Sequence, residues 1–145
     1  MDKSKFRKLI QEVVALLNLE SLDPNPDDSI TLRFDGKLEL NLSMHTRDRI
    51  LVRAVVGRLP EDESDQQELL RRLLTLNLSR LRIQEEVLSV EEGTKELVLF
   101  EYISGDVFAR DLVMKLETFL NRTEFWSVEA GGTKHSSIPM GMFQF

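Results

Sequence analysis

The chain has 145 residues, 41% of them apolar and 30% charged, with a formal net charge of −6 and no cysteine. One domain is the default at this length, with roughly two thirds of the unfolded surface available for burial. The negative charge argues against a phosphate-binding surface and so against nucleic acid as a partner. Absence of cysteine removes disulfides, thiolate metal sites and thiol nucleophiles. No apolar run approaches the roughly 20 residues that a membrane helix requires, and the basic N-terminus is not followed by the apolar core of a secretory signal.

Lys3 to Leu17 reads as a helix, because Phe6, Leu9, Ile10, Val13, Val14, Leu16 and Leu17 recur at helical spacing. Asn18 tolerates the left-handed conformation that ends a helix. The basic first turn (Lys3, Lys5, Arg7, Lys8) opposes the macrodipole and is expected to fray. Asp23 to Asp28, with two prolines, is a loop. A first strand alternates Ile30, Leu32 and Phe34 with Thr31 and Arg33, and Asp35-Gly36 is a hairpin signal. In the second strand Leu38, Leu40, Leu42 and Met44 alternate with polar residues, so one face is buried and one is wet. Arg49 to Val56 is apolar on both faces apart from Arg53, as expected of a central strand. Gly57 to Ser64 is an acidic connector, and Ser64 or Asp65 is placed to cap a helix from Gln66 to Leu81.

That helix carries too much leucine for one contact. With Leu69 at 0°, Leu76, Leu73, Leu70, Leu74 and Leu78 span an arc from about −20° to about 180°. A helix lying on one sheet needs a stripe only about 100° wide. The surplus implies a second packing partner, most simply another copy of the chain. A hairpin follows, Glu86 to Val90 and Glu96 to Tyr102 around Glu91 to Lys95. A third helix is expected from Ser104-Gly105-Asp106 to about Val128, with Phe108, Leu112, Val113, Leu116, Phe119, Leu120 and Trp126 on its apolar face. Gly131-Gly132 breaks the pattern. The order α-β-β-β-α-β-β-α predicts an α+β fold, a twisted antiparallel sheet with helices packed against it. Residues 1–130 read as one domain and 131–145 as a tail.

Catalytic constellations are not visible. The two histidines, His45 and His135, lack ligand-like spacing and read as solvated surface residues. There is no nucleophile elbow and no phosphate-cradling glycine loop. The carboxylate runs lie in turns, where solvation accounts for them, and Trp126 reads as a core anchor. No metal, cofactor or enzymatic activity is expected.

Several strings, taken in order, resemble the class I chaperones of type III secretion, the CesT (Tir chaperone) family. They are Leu16-Leu17-Asn18-Leu19 with Leu22, Ile30 to Asp35, Leu69 to Leu78 (like the family's "LL…LL..N" helix), Val87 to Leu99, and Phe119 to Trp126 (like its "F…AE.W" stretch). The resemblance covers roughly residues 5 to 128. Asn18 stands where the family usually has glycine, Leu76 where a small residue is commoner, and the tail matches no family pattern. The resemblance implies a bacterial cytoplasmic homodimer that binds the extended N-terminal segment of a secreted effector, without ATP or catalysis.

Such a protein needs apolar grooves and a free sheet edge, because main-chain bonds to an edge strand are tolerant of sequence. The groove is assigned to Phe6, Ile10, Val13, Leu32, Leu40 and Leu42, a set that must include exposed members. The dimer contact is assigned to Leu70, Leu73, Leu74, Leu76 and Leu78, with Val87 and Leu88 nearby, and Leu73→Asp is expected to break it. Two other readings remain open: a regulatory binding protein of the same fold that sequesters another chaperone or a transcriptional regulator, and a small enzyme or ligand-binding domain.

Overall fold

The computed structural model describes residues 1–19, 24–34, 38–45 and 48–131. In chain order these form α1 (Lys3–Leu17), β1 (Ile30–Phe34), β2 (Leu38–His45), β3 (Arg49–Arg58), α2 (Glu63–Arg80), β4 (Val87–Glu91), β5 (Glu96–Ser104) and α3 (Ala109–Gly131). The strands make one five-stranded antiparallel sheet in the order β1-β2-β3-β5-β4. The α+β class and the order of elements are those expected from the sequence, and β3 is indeed central. The expectations for Leu22, for the Asp35-Gly36 turn, for His135 and for the tail beyond Gly131 lie outside the described residues.

Contacts divide the chain into two compact units. One comprises Met1–Ala54 and Phe100–Phe119, the other Val55–Leu99 and the described residues from Leu120 to Gly131.

In the first unit, α1 buries Phe6, Leu9, Ile10 and Val13, a stripe at 3-1-3 spacing that puts all four on one face. The side chain of Asp2 caps the helix by accepting from the backbone N–H of Lys5 at 2.8 Å. Lys3 and Arg7 reach the Asp28 carboxylate at 2.7 and 3.3 Å. The basic first turn is therefore capped and paired, which offsets the unfavourable dipole that would fray it. Asn18 ends the helix at φ 54°, ψ 42°, in the left-handed region. Ile30 stands opposite Leu42 and Leu42 opposite Val52, so buried side chains run in a row across three strands. Ile103, Leu112, Leu116 and Phe119 are buried in the same unit.

Lys3 first, and then Arg7, hold the Asp28 carboxyl below its ordinary 3.8. A carboxyl lowered in the folded state adds stability above its unfolded value and loses it as pH falls through the folded one. Native protein should therefore melt above Asp28→Asn at neutral pH, and the gap should close on acidification below the carboxylate range. Thermal melts of both proteins from pH 7 to 2 check this.

The second unit holds α2, β4, the start of β5 and the ends of β3 and α3. The cap of α2 is Asp62, whose carboxylate accepts from the backbone N–H of Asp65 at 3.0 Å. Neither Ser64 nor Asp65 caps the helix, which begins three residues earlier than expected because Asp62 satisfies its free N–H groups first. Gly57 is a strand glycine at a close approach: a Cβ there would lie 2.9 Å from the Cβ of Ala130. Gly57→Leu should destabilise the protein by about 1–3 kcal/mol, the usual cost of overpacking, as denaturant titration would read.

α3 starts at Ala109, not at Ser104, because β5 continues to Ser104. Phe108 is therefore outside the helix and 79% exposed, which corrects its place on the apolar face. Within α3 the buried residues Ala109, Leu112, Leu116, Phe119, Thr123 and Trp126 recur at alternating three- and four-residue steps. Gly131, expected to break the helix, is its last residue.

Candidate functional site

On α2, Leu73 and Asn77 face inward and are buried, and Leu73 is only 1% exposed. Leu74 and Leu78 lie about 100–140° further round the helix and are 61% and 68% exposed. Leu81, immediately after the helix, continues the exposed stripe, and beyond it Ile83 is 81% exposed. Val55 and Val90 of the same unit are also exposed. The surplus apolar arc inferred from the sequence is thus real, and part of it is uncovered.

The seven residues assigned to the dimer contact separate on this criterion. Leu74 and Leu78 are exposed, Leu70, Leu76 and Val87 are half-buried, and Leu73 and Leu88 are buried within the chain. Leu73→Asp would bury a charge in the chain's own core, so it tests the fold and not association. Sequence reasoning missed Leu81, Ile83, Val55 and Val90. The available signal was an apolar residue two positions beyond Leu81, between Arg82 and Gln84, where no element was assigned.

Asn77 explains why a polar residue sits on the inward face of α2. Its side-chain carbonyl accepts from the backbone N–H of Leu88 at 3.1 Å, and its amide donates to the Leu88 carbonyl at 3.4 Å. The amide thus serves the backbone of β4, one of the two outermost strands of the sheet.

The six residues assigned to the groove are all buried. Phe6, Ile10, Val13, Leu32, Leu40 and Leu42 belong to the core of the first unit, and none offers surface to a partner. Alternation identified the inner face correctly, but that face is covered by the chain itself. Among the described residues of this unit, the exposed large apolar side chains are Leu16, Tyr102, Phe108 and Met114. Around Tyr102 the wet sheet face carries an aromatic and cationic cluster. The His45 ring is 4.9 Å and the Phe100 ring 5.9 Å from that of Tyr102, and the Arg49 guanidinium lies 4.4 Å over it. His45 is therefore half-buried in ring contact, not freely solvated. Beside Arg49, a cleft of about 620 Å³ is lined by Lys5, Asp48, Arg49, Ser104, Gly105 and Asp106, among others. Among the described residues no cluster of His, Asp or Glu is arranged to hold a metal, and no helix is long and apolar enough to cross a membrane.

Residues 8–127 match the family model of the Tir chaperone protein (CesT) family. The chain belongs to this family. Among solved structures, it resembles a chain of the ExsC-ExsE complex at 25% identity, with TM-score 0.69 over 88% of this chain and 95% of that one. It also shares its fold with a chain of the HopA1-SchA chaperone-effector complex (19% identity, TM-score 0.66, 88% and 98% covered). A further fold match is the Yersinia pestis type III secretion chaperone SycH in complex with a stable fragment of YscM2 (14% identity, TM-score 0.56, 82% and 97% covered). No curated protein matches the sequence. Within this CesT-family chain, Asn77 and Trp126, the polar and aromatic ends of two of the recognisable strings, are both buried structural anchors.

Proposed function

We propose that this protein is a homodimeric, non-enzymatic type III secretion chaperone of the bacterial cytoplasm, which holds the extended N-terminal segment of a secreted effector. The observation that carries the reading is the uncovered leucine stripe of α2 in a chain of the CesT family. Soluble monomers seldom leave such a stripe open, and a second copy is its economical cover. The stripe of Leu74, Leu78 and Leu81 would be the centre of the contact, with Leu70, Leu76 and Val87 at its margin. Leu73 and Leu88 support it from inside.

For the effector, a disordered segment exposes apolar residues that aggregate unless they are sheltered. This chain offers two kinds of acceptor: exposed side chains of the first unit (Leu16, Tyr102, Phe108, Met114) and the outer edges of β1 and β4. Edge backbone accepts many sequences, and side-chain contacts add selectivity. Phe6, Ile10, Val13, Leu32, Leu40 and Leu42 would act indirectly, by fixing the elements that present this surface. Neither nucleic acid nor a cofactor enters the reading.

The test is co-expression with candidate secreted proteins from the same bacterium, followed by measurement of complex mass and limited proteolysis. Two chaperone copies protecting one N-terminal segment of an otherwise protease-sensitive chain is the expected result. A folded regulator as the stable partner would replace the effector reading with the regulatory one. A monomer that protects nothing would end both.

A further inference from the structure

Glu86 is a buried carboxylate of the second unit. Its side chain is fully inaccessible. One oxygen, Oε2, accepts from Arg80 Nε at 3.0 Å and from Trp126 Nε1 at 3.1 Å, and Arg80 Nη2 lies 3.0 Å from it. The other, Oε1, makes no hydrogen bond and faces Arg122 Nη1 at 3.6 Å. Arg80 is the last residue of α2, and its guanidinium also lies 4.2 Å over the Phe125 ring. The end of α2 is thereby tied to α3 through one carboxylate. One turn earlier, Asn77 ties the same helix face to the backbone of β4.

A buried ion pair is a poor source of stability, since desolvation consumes most of its attraction; its best-attested use is to specify register. The geometry fits that use. Arg80 and Asn77 lie three residues apart on the inward face of α2, and Leu74, Leu78 and Leu81 lie about 100° round the same helix. Rotating the helix by about 20° would move side chains about 5 Å from its axis by about 2 Å, enough to disrupt packing between facing leucines.

We propose that Glu86, with Arg80, Arg122 and Trp126, is a positioning cluster that sets the rotation of α2 and so the register of its leucine stripe against a second copy. The inference rests on the homodimer reading above and extends it to a carboxylate buried inside the single chain. Glu86→Gln keeps the volume and one acceptor oxygen, but turns an amide donor toward a guanidinium and removes the carboxylate charge between the two arginines.

Sedimentation velocity across a dilution series tests it, on the native chain, Glu86→Gln, Arg80→Met, and Leu99→Ala as a core truncation outside the cluster. Each is measured well below its own melting temperature, with circular dichroism confirming the fold. The expected result is a dimer dissociation constant at least tenfold weaker in Glu86→Gln and Arg80→Met, and within threefold of native in Leu99→Ala. Should Glu86→Gln not fold, Arg80→Met carries the comparison alone. Native affinity in a folded cluster variant, or equal weakening in Leu99→Ala, overturns the positioning role while leaving the dimer intact. A native chain that sediments as a monomer overturns the dimer, and this inference with it.

Discussion

Replacing Leu74 and Leu78 together with aspartate should give a folded monomer, which melts below the native protein by an amount that shrinks as the native protein is diluted. Both side chains are exposed in the single chain, so neither substitution opens a cavity or buries a charge inside it. Surface changes of this kind usually shift stability by no more than about 0.5 kcal/mol. In the dimer the same positions would be covered, and burial of each leucine contributes about 1.5–3 kcal/mol. Each substitution enters a symmetric dimer twice, so four leucines are lost, about 6–12 kcal/mol of association energy, which weakens the dissociation constant by at least about 10,000-fold. Two desolvated carboxylates facing their symmetry copies add repulsion. Light scattering coupled to size exclusion reads the mass, and differential scanning calorimetry reads the melting point. A dimer of native affinity would remove α2 from the interface. A variant that stays unfolded at low temperature by circular dichroism would show that the leucines belong to the core after all.

The same pair of leucines shows where reading from sequence stops. Leu73 and Leu74 are adjacent, chemically identical and both inside the apolar arc, yet one is buried by its own chain and the other is not. Periodicity states which face of an element is apolar; it carries no information on whether that face is covered from within or by a partner. The groove assignment failed for this reason. Leu32, Leu40 and Leu42 alternate as any half-buried strand does, and their inward face is the core.

Elements whose signals are local were legible. The end of α1 at Asn18 rests on one residue's tolerance of positive φ, and β2 rests on strict alternation. Boundaries contested by several candidates were not. Asp62, Ser64 and Asp65 can all cap a helix, and only the folded chain shows that Asp62 does. Phe108 has helical spacing from Leu112, but β5 runs on to Ser104 and the turn that follows leaves Phe108 outside α3. The buried charge of Glu86 left no trace in pattern, because its partners come from residues 80, 122 and 126.

Trp126→Ala should be among the most damaging single substitutions in the second unit. Trp126 is completely buried, and its ring meets that of Phe125 edge-on at 5.5 Å. Truncation to alanine leaves a cavity that neighbouring side chains fill only in part, which for Trp or Phe costs about 3–5 kcal/mol. It also removes the indole N–H that donates to Glu86 Oε2, adding a poorly satisfied buried carboxylate to the cavity. With total stability of about 5–15 kcal/mol for a domain of this kind, the variant would be marginal at 37 °C. Trp126→Phe separates the two losses: it keeps most of the ring volume and forfeits the hydrogen bond, so it should cost about 1–3 kcal/mol. Chemical denaturation of native protein and both variants should give this order, with alanine the worse by at least about 1 kcal/mol. Equal losses would mean that the hydrogen bond to Glu86, and not the filling of the core, is what the tryptophan contributes.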